Sequence, residues 1–447
     1  MRDYEIFPPL EVVAAEGGWL HLADGRRLFD GISSWWCKNL GHRHPRLIAA
    51  LAEQAGCFEH VITANVTHEP LVACAEQVLA RANAVDPATP RPRDSATLTK
   101  AFFSDNGSTA VEVALKMAVQ WQAQAGDPRR TRFAVLEHGY HGETVGALSV
   151  SDCDLYRRHY PGLLFDCTVL RGLPYRAGPE DRLWQDAGPE WPALEAQLAA
   201  VADTLAAVVV EPLLQGAGGM LLYSPDLLRR LRAWCDQHGV LLIADEIAAG
   251  WGRLGTWLAC HQAGVLPDLA VLSKGLTAGV MPFAITLATE RIYQGFLAEW
   301  ADQRAFLHSN TYAGNPLGCA LSLAVMQVYQ AEDVLAQVPV RGAHVRQALG
   351  RLAATRPTMR GVRGLGMMAA VDLTRADGTS HAAADRYGWQ VARAAIDRGV
   401  LLRCLGDTLY LFPPLNSTDA DLEALVAVLG AAIDAVDGHS SDPAVGR

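Results

Sequence analysis

Two short apolar runs between residues 240 and 275 stand out in the pattern of hydrophobic and polar positions. VLLIA and DLAVLS each have the length and the aliphatic content that predict a buried strand. The first run is followed by Asp245 and the second by Lys274, so each strand carries a charged residue at its carboxyl end. Because ligands bind at this edge of open parallel sheets, the pattern predicts a binding site there.

Asp245 and Lys274 have the chemistry that pyridoxal phosphate requires. Neighbouring strands lie about 4.8 Å apart, so the two side chains span one small aromatic ring. The acid would hold the pyridine nitrogen protonated, and the lysine would form a Schiff base with the aldehyde. Taken alone, the pair also fits a helix-capping aspartate and a snorkelling surface lysine. Only four of the 38 lysines and arginines in the chain are lysines. A lysine at position 274 therefore favours a chemical role that arginine cannot perform.

Three further apolar runs predict strands of the same α/β body, each followed by a loop suited to a ligand. The strand at 101–104 leads to Gly107 and Ser108, a helix start that suits a phosphate, although an ordinary helix cap has the same sequence. The strand beginning at residue 133 leads to Tyr140, which fits either a ring-stacking or a buried hydrogen-bonded side chain. The strand beginning at residue 206 ends at Glu211, before a glycine-rich loop.

The remaining pattern predicts smaller elements. Residues 11–32 predict a two-stranded hairpin, and residues 83–98 predict a polar surface loop. Trp35 and Trp36 cannot both face one core from a strand, so one is expected at a cavity or a domain seam. His42 and His44 have no third metal ligand nearby and are interpreted as loop residues. From about residue 330, alternating elements predict a smaller α+β domain with strands at 367–373, 400–403 and 409–412.

Composition restricts the classes of function. A length of 447 residues, half of them hydrophobic, predicts two domains. The net charge of -10 and the pI near 5.8 disfavour nucleic acid and anionic membranes as partners. Nine cysteines without paired spacing predict free thiols in a reducing compartment, and no metal site is expected. No apolar run approaches about 18 residues, and no signal peptide is visible, so a cytoplasmic enzyme is expected.

A series of segments, in order, resembles the class III (ω-) aminotransferases of the pyridoxal-phosphate fold type I group over nearly the whole chain. The segments are DGRRLFDGISSWW, GHRHP, DNGSTAVEVALKMA, GYHGET, VEPLLQGAGGM, LLIADEIAAGWGR, LSKGLTAG and HSNTYAGNPLGCA. The resemblance implies an α/β fold, with a mostly parallel seven-stranded sheet in a large domain (45–315) and a smaller α+β domain built from 1–44 and 316–447. The paired tryptophans make the chain most similar, within this class, to the 7,8-diaminopelargonic acid aminotransferases of biotin synthesis.

The resemblance also implies roles for individual residues. Lys274 would be the Schiff-base lysine, Asp245 the partner of the pyridine nitrogen and Tyr140 a ring-stacking residue. The remaining cofactor contacts would be Gly107, Ser108, Glu211, Ile247 and Thr311, the last reaching the neighbouring subunit of a homodimer. Substrates would contact Trp35, Tyr140, Arg253, Lys274, Ser309, Arg403 and Tyr410, with Arg403 binding the carboxylate of the keto acceptor.

The implied reaction is a ping-pong transamination of 8-amino-7-oxononanoate to 7,8-diaminononanoate, for which S-adenosylmethionine is the usual amino donor. Departures from the family pattern leave the donor open. A His-Pro-aromatic-Thr segment is missing ahead of the hairpin, Glu143 replaces an aspartate, and residues 308–311 read His-Ser-Asn-Thr instead of His-Gly-Pro-Thr. The alternative is another class III ω-aminotransferase that uses lysine, a diamine or a secondary-metabolite amine. No GxGxxG or GxxxxGK(S/T) motif supports a nucleotide-binding protein.

Overall fold

The computed structural model of the chain describes residues 3–84 and 97–440. Most of the segment 83–98, predicted to be a surface loop, therefore lies outside the described residues.

The strands are β1 (Val12–Glu16), β2 (Trp19–Leu22), β3 (Arg27–Asp30), β4 (Leu98–Ser104), β5 (Arg132–Leu136), β6 (Thr168–Leu170), β7 (Tyr175–Arg176), β8 (Leu205–Val210), β9 (Leu214–Gln215), β10 (Leu221–Tyr223), β11 (Leu241–Asp245), β12 (Leu269–Leu272), β13 (Ala284–Thr289), β14 (Met359–Leu365), β15 (Met368–Leu373), β16 (Val400–Leu401), β17 (Arg403–Leu405) and β18 (Thr408–Leu411). The α-helices are α1 (Asp3–Ile6), α2 (Ser33–Trp36), α3 (Pro45–Ala55), α4 (Glu69–Ala82), α5 (Gly107–Gln124), α6 (Val145–Ser149), α7 (Asp154–Arg157), α8 (Trp191–Ala199), α9 (Pro225–His238), α10 (Glu290–Phe296), α11 (Pro316–Ala331), α12 (Val334–Ala354), α13 (Tyr387–Ile396) and α14 (Asp419–Ser440).

The chain divides into two compact units. The terminal unit consists of Met1–Ile48 and Val340–Arg447, and the central unit consists of Ala49–Pro339. The predicted division after residue 315 differs from this one. Helix α11 packs against α4, so it belongs to the central unit.

The central unit is built on a seven-stranded sheet in the order β4-β13-β12-β11-β8-β5-β6. Strands β12, β11, β8, β5 and β6 are parallel, while β13 is antiparallel to both of its neighbours. The prediction of a mostly parallel seven-stranded sheet is confirmed. All six residues of β8 are buried and apolar, as expected for a strand that is covered on both faces.

Helix α5 covers part of this sheet and starts just after the end of β4. Its buried residues Val111 and Ala114 belong to one apolar cluster with Val209 and Ile243 of the sheet. This packing fixes the start of α5 relative to the carboxyl ends of the parallel strands. The helix start therefore lies where the sequence predicted a ligand.

The terminal unit contains two four-stranded sheets, in the orders β1-β2-β3-β16 and β14-β15-β18-β17. The predicted two-stranded hairpin at 11–32 has a third strand, because Gly17 takes a φ of 54° and turns β1 back onto β2. The predicted strands at 367–373 and 409–412 are present with shifted ends. The single strand predicted at 400–403 is wrong, because the chain changes sheets at Leu402 and forms β16 beside β3 and β17 beside β18. Strand β14 was missing from the prediction, since its sequence MRGVRGL shows no regular alternation.

Candidate active site

Asp245 and Lys274 lie at the same edge of the central sheet. Asp245 is the last residue of β11, and Lys274 comes two residues after the end of β12. The two strands are parallel neighbours, with Asp245 level with Val271. Lys274 takes a left-handed φ of 44°, which is uncommon for a non-glycine residue and occurs more often at functional sites. The placement agrees with the sequence prediction.

The Asp245 carboxylate is buried and bonded through both oxygens. His141 donates from Nδ1 to Oδ2 across 2.8 Å, and the Ile247 amide donates to Oδ1 across 3.1 Å. Only 4% of Asp245 and 2% of His141 is exposed. Burial lowers the pKa of His141, but the hydrogen bond and the charge of Asp245 outweigh burial, so the pKa is raised. The pair therefore favours a protonated imidazole beside Asp245.

Glu211 extends this buried polar cluster. It directly follows β8, and its carboxylate accepts the Tyr140 amide at 2.9 Å and the Gly216 amide at 3.0 Å. Burial raises the pKa of Glu211 to about 7, although the charge of His141 opposes the rise. Glu211 thus holds the backbone of the loop that carries Tyr140.

Tyr140 is a half-buried residue of the loop after β5. Its hydroxyl donates to Glu143 Oε1 across 2.9 Å, and its ring centroid lies 5.5 Å from that of Tyr156. Burial, together with the hydrogen bond to Glu143, raises the pKa of the phenol, which therefore stays neutral. Of the two alternatives, a ring-stacking or a buried hydrogen-bonded side chain, the structure shows the hydrogen bond, on a half-buried residue. Stacking on a ring stays a prediction.

Helix α5 begins with the predicted phosphate-binding turn. The Asn106 side chain accepts the Thr109 amide, and the Thr109 hydroxyl accepts the Asn106 amide, which together form a capping box. Gly107 and Ser108 are the first two helical residues, so their amides have no carbonyl partner within the helix. The turn is an ordinary cap whose free amides also suit an anion.

Two close approaches pack this turn against neighbouring loops. A β-carbon on Gly107 would lie 2.8 Å from Ile247 Cδ1, and one on Gly142 would lie 2.3 Å from Ser108 Oγ. Gly142 also has a φ of 128°, which L side chains rarely adopt. Gly107, Ser108, Gly142 and Ile247 therefore form a tight cradle, here called the glycine cradle.

Glu112 is a residue of this site that the sequence reasoning missed. Its Oε1 accepts the Thr144 hydroxyl at 2.6 Å and the amides of Gly146 and Ala147 at 2.7 and 3.2 Å. It therefore ties the chain just after the Tyr140 loop to helix α5. The only signal for it in the sequence was a carboxylate between two buried apolar residues of α5, Val111 and Val113.

The segment 306–311 carries two predicted site residues, Ser309 and Thr311, which are both exposed. His308 anchors the segment. Its Nδ1 accepts a hydrogen bond from Lys116 Nζ across 2.9 Å, and its ring stacks on Phe306. Burial and the charge of Lys116 lower the pKa of His308, so the neutral imidazole that this bond requires is favoured.

In the terminal unit, the two adjacent tryptophans face different surroundings. Trp36 is buried, with its ring centroid 5.8 Å from those of Tyr410 and Phe412. Trp35 is 62% exposed, and the Arg403 guanidinium lies 4.1 Å from its ring centroid. The structure thus brings together Trp35 and Arg403, two predicted substrate-contacting residues. Tyr410 is only 2% exposed and packs beside Trp36.

Arg253, another predicted substrate contact, belongs to the central unit and is 1% exposed. Its amide donates to the Gly250 carbonyl at 3.3 Å, and the amide of the preceding residue, Gly252, donates to the Thr256 carbonyl at 3.0 Å. The residue therefore sits in a hydrogen-bonded turn. A guanidinium buried to this extent needs polar or anionic partners.

Three features are absent from residues 3–84 and 97–440. No group of His, Cys, Asp and Glu side chains there is arranged to hold a metal ion. No helix in these ranges is both long enough and apolar enough to cross a membrane. None of the nine cysteines, all of which lie in these ranges, forms a disulfide.

A buried acid and a lysine at one edge of a mostly parallel sheet, beside a helix start that suits an anion, are typical of an α/β enzyme that uses a phosphorylated aromatic aldehyde. The chain belongs to the class-III aminotransferase family, which it matches over residues 2–433. Aminotransferases of this class depend on pyridoxal phosphate.

Three relatives show how far the similarity extends. Adenosylmethionine-8-amino-7-oxononanoate aminotransferase of Synechococcus elongatus is 42% identical, over 96% of this chain and 96% of its own. The crystal structure of the enzyme of that name from Methanocaldococcus jannaschii has a TM-score of 0.87 at 28% identity, covering 98% of this chain and 95% of that one. A PLP-bound amine transaminase from an uncultivated Pseudomonas species has a TM-score of 0.86 at 32% identity, covering 97% and 96%.

The residues of the central unit fit pyridoxal phosphate. In the glycine cradle, an added β-carbon would collide with its neighbours, while the helix-start amides of Gly107 and Ser108 suit a phosphate. The Asp245 oxygens each retain a lone pair beyond their bonds to His141 and Ile247, so the carboxylate has room for a further N–H donor. The donor set therefore matches the anion, the ring nitrogen and the aldehyde of this cofactor.

Proposed function

We propose that this protein aminates 8-amino-7-oxononanoate to 7,8-diaminononanoate in biotin biosynthesis, with S-adenosylmethionine as the amino donor. The observation that carries this proposal is the 42% identity, over 96% of both chains, to a Synechococcus elongatus enzyme named for this reaction. The pairing of Arg403 with Trp35 adds support, because a cation beside an aromatic wall suits the carboxylate and the alkyl chain of this acceptor.

In this proposal the amides of Gly107 and Ser108 would hold the cofactor phosphate, where the positive end of α5 favours an anion. Tyr140 and Ile247 would pack against opposite faces of the pyridine ring. Support comes from the close approach of Ile247 to Gly107 within the glycine cradle. Thr311 would contact the phosphate bound by the partner subunit, in keeping with its exposure.

The bound cofactor supplies the electron sink on which transamination depends. Asp245 would accept the N–H of the ring and keep that nitrogen protonated, and His141 orients the Asp245 carboxylate through its hydrogen bond. The Lys274 amine would take the proton from the substrate carbon that bears the nitrogen and return it on the other side of that bond. Glu211 acts as a positioning residue, since it binds the backbone of Tyr140.

We also propose a cytoplasmic homodimer. Leu307 and Tyr312, on either side of Ser309 and Thr311, are 74% and 61% exposed, which suits a surface that a second subunit covers. The nine free thiols fit a reducing compartment.

A second candidate is transfer of an amino group between other amines and ketones. It is favoured by the amine transaminase from the Pseudomonas species, whose 32% identity exceeds the 28% of the Methanocaldococcus jannaschii enzyme. The His-Ser-Asn-Thr sequence at 308–311 also departs from the biotin-pathway pattern.

The test uses purified protein loaded with pyridoxal phosphate and supplied with 8-amino-7-oxononanoate. S-adenosylmethionine, lysine and a diamine are added one at a time, and products are identified by mass spectrometry. We expect 7,8-diaminononanoate with S-adenosylmethionine. Product with lysine alone would replace the proposed donor. No product with any donor, combined with amine transfer to simple ketones, would favour the second candidate.

The role of Lys274 has its own test. We expect Lys274→Ala to lose covalently bound cofactor, measured by mass spectrometry after borohydride reduction, and to lose activity by about 10²- to 10⁴-fold. Lys100→Ala is the matched control, because the Lys100 amine pairs with Glu290 across 2.9 Å on the outer part of the unit. Retention of the covalent label in Lys274→Ala would refute the assignment.

A further inference from the structure

We propose that Asp30 and His42 are positioning residues for substrate selection, which act by holding the strained turn that presents Trp35. The inference deepens the proposed function, since it rests on Trp35 contacting the substrate. Neither residue belongs to the site predicted from the sequence, where His42 was interpreted as a loop residue.

The turn at Ser33–Trp36 has a backbone that its residues seldom adopt. Ser33, Ser34 and Trp36 have φ values of 50°, 57° and 64°. Ser34 combines its positive φ with a ψ of -86°, away from the ordinary left-handed helical region. Non-glycine residues keep such conformations only where surrounding contacts enforce them. The turn therefore needs an external restraint.

The Asp30 carboxylate supplies this restraint. Asp30 is fully buried at the end of β3. Its Oδ1 accepts the Ser34 amide at 2.8 Å, and its Oδ2 accepts the Ser34 hydroxyl at 2.9 Å. One carboxylate thus binds both the backbone and the side chain of the most strained residue. Hydrogen bonds to a charged acceptor are stronger than those between neutral groups.

His42 binds the same carboxylate oxygen as the Ser34 hydroxyl. Its Nε2 donates to Asp30 Oδ2 across 3.0 Å, and its side chain is only 11% exposed. The backbone of His42 is bonded to Gly17 in both directions, at 2.6 and 3.0 Å. The imidazole is therefore anchored to the chain between β1 and β2, and it does not depend on the strained turn for its position.

The restrained turn separates the roles of the two tryptophans. Trp36 enters the core, while Trp35 is presented to solvent with the Arg403 guanidinium 4.1 Å from its ring centroid. A planar guanidinium stacks well only on a ring whose plane is fixed. The orientation of Trp35 therefore also sets the direction of the Arg403 fork, although Asp30 and His42 themselves need not touch substrate.

The first test is a pair of variants, Asp30→Asn and His42→Gln, with Asp24→Asn as the matched control. Asp24 is an exposed aspartate in the β2–β3 turn, where it pairs with Arg26. We expect the two variants to raise the KM for the keto acceptor by about 10- to 100-fold, with kcat changed much less. Trp35→Phe should raise KM similarly, and Asp30→Asn should add no further rise in the Trp35→Phe background. A full additional rise in that background would overturn the proposal.

The second test needs no substrate. The difference in acrylamide quenching of tryptophan fluorescence between the unsubstituted protein and Trp35→Phe isolates Trp35. We expect Asp30→Asn and His42→Gln to raise the Trp35 quenching constant by about two-fold, as a loosened turn exposes the ring to more collisions. The Asp24→Asn control should not change it. Unchanged quenching in both variants, with far-ultraviolet circular dichroism unaltered, would overturn the proposal.

Failure of the proposed function has a different signature. In that case the unsubstituted enzyme does not aminate 8-amino-7-oxononanoate, while the quenching measurement still reports on the turn. If Asp30→Asn does not fold, Ser34→Ala carries the same test, because it removes one of the hydrogen bonds to the carboxylate and leaves the buried charge paired with His42.

Discussion

His141 donates from Nδ1 to the Asp245 carboxylate across 2.8 Å, and both side chains are almost fully buried. The bond joins the loop after β5 to the end of β11. It orients the acid before any ring arrives, and such preorganised charge is more effective than charge that must reorient during the reaction.

Replacing His141 with phenylalanine would leave this buried carboxylate without its charged partner. We expect the variant to lose about 3–5 kcal/mol of unfolding free energy and to bind pyridoxal phosphate more weakly. Urea unfolding and cofactor titration measure the two effects. His159→Phe removes an exposed imidazole and serves as the control. Equal stability of His141→Phe and the unsubstituted protein would contradict the importance of the pair.

Glu211 predicts a pH dependence of stability. Burial raises its pKa from 4.5 to about 7 in the folded protein, so the native state holds this proton more tightly than the unfolded state does. The unfolding free energy should therefore fall between about pH 4.5 and about pH 7, by about 3 kcal/mol relative to Glu211→Gln. Chemical denaturation across this range tests it, with the exposed Glu195→Gln as control. A difference that stays constant with pH would refute the shifted pKa.

Gly142 predicts a steric effect on cofactor binding. In Gly142→Ala the new β-carbon would meet Ser108 Oγ at 2.3 Å and strain a backbone with a φ of 128°. We expect the Kd for pyridoxal phosphate to rise by at least about ten-fold, since the turn proposed to bind the phosphate must shift. Gly126→Ala is the matched control, because Gly126 has a φ of 105° but no atom within 4 Å of the added carbon. Equal affinities of the two variants would argue against the cradle.

The stacking of Arg403 on Trp35 predicts that lysine cannot replace this arginine, although lysine carries the same charge. Arg403→Lys keeps the cation but loses the planar fork that stacks on Trp35 and suits a carboxylate. We expect kcat/KM for the keto acceptor to fall by about ten-fold or more, equivalent to roughly 1.4 kcal/mol. The same exchange at the exposed Arg398 is the control. Steady-state kinetics that do not distinguish the two variants would exclude a bidentate role.

The fold could be predicted further than the site. Strands such as β8 and β11 can be predicted from their apolar runs, because strands covered on both faces are mostly apolar, with Asp245 only at the end of β11. Edge strands could not be predicted in this way, since β14 carries arginines and glycines without regular alternation. The hydrophobic pattern could not predict the boundary between the units either. Helix α11 belongs to the central unit because it packs on α4, and its composition does not show this.

The sequence by itself determined that Asp245 and Lys274 share one sheet edge, because each charge directly follows an apolar run and parallel pairing aligns the ends of those runs. Tertiary structure alone decided which polar side chains meet. His141 meets Asp245 across 104 positions, Glu112 meets Thr144 across 32, and His42 meets Asp30 across 12. Polar residues in loops follow no hydrophobic period, so their partners are set only when the loops pack against the sheets.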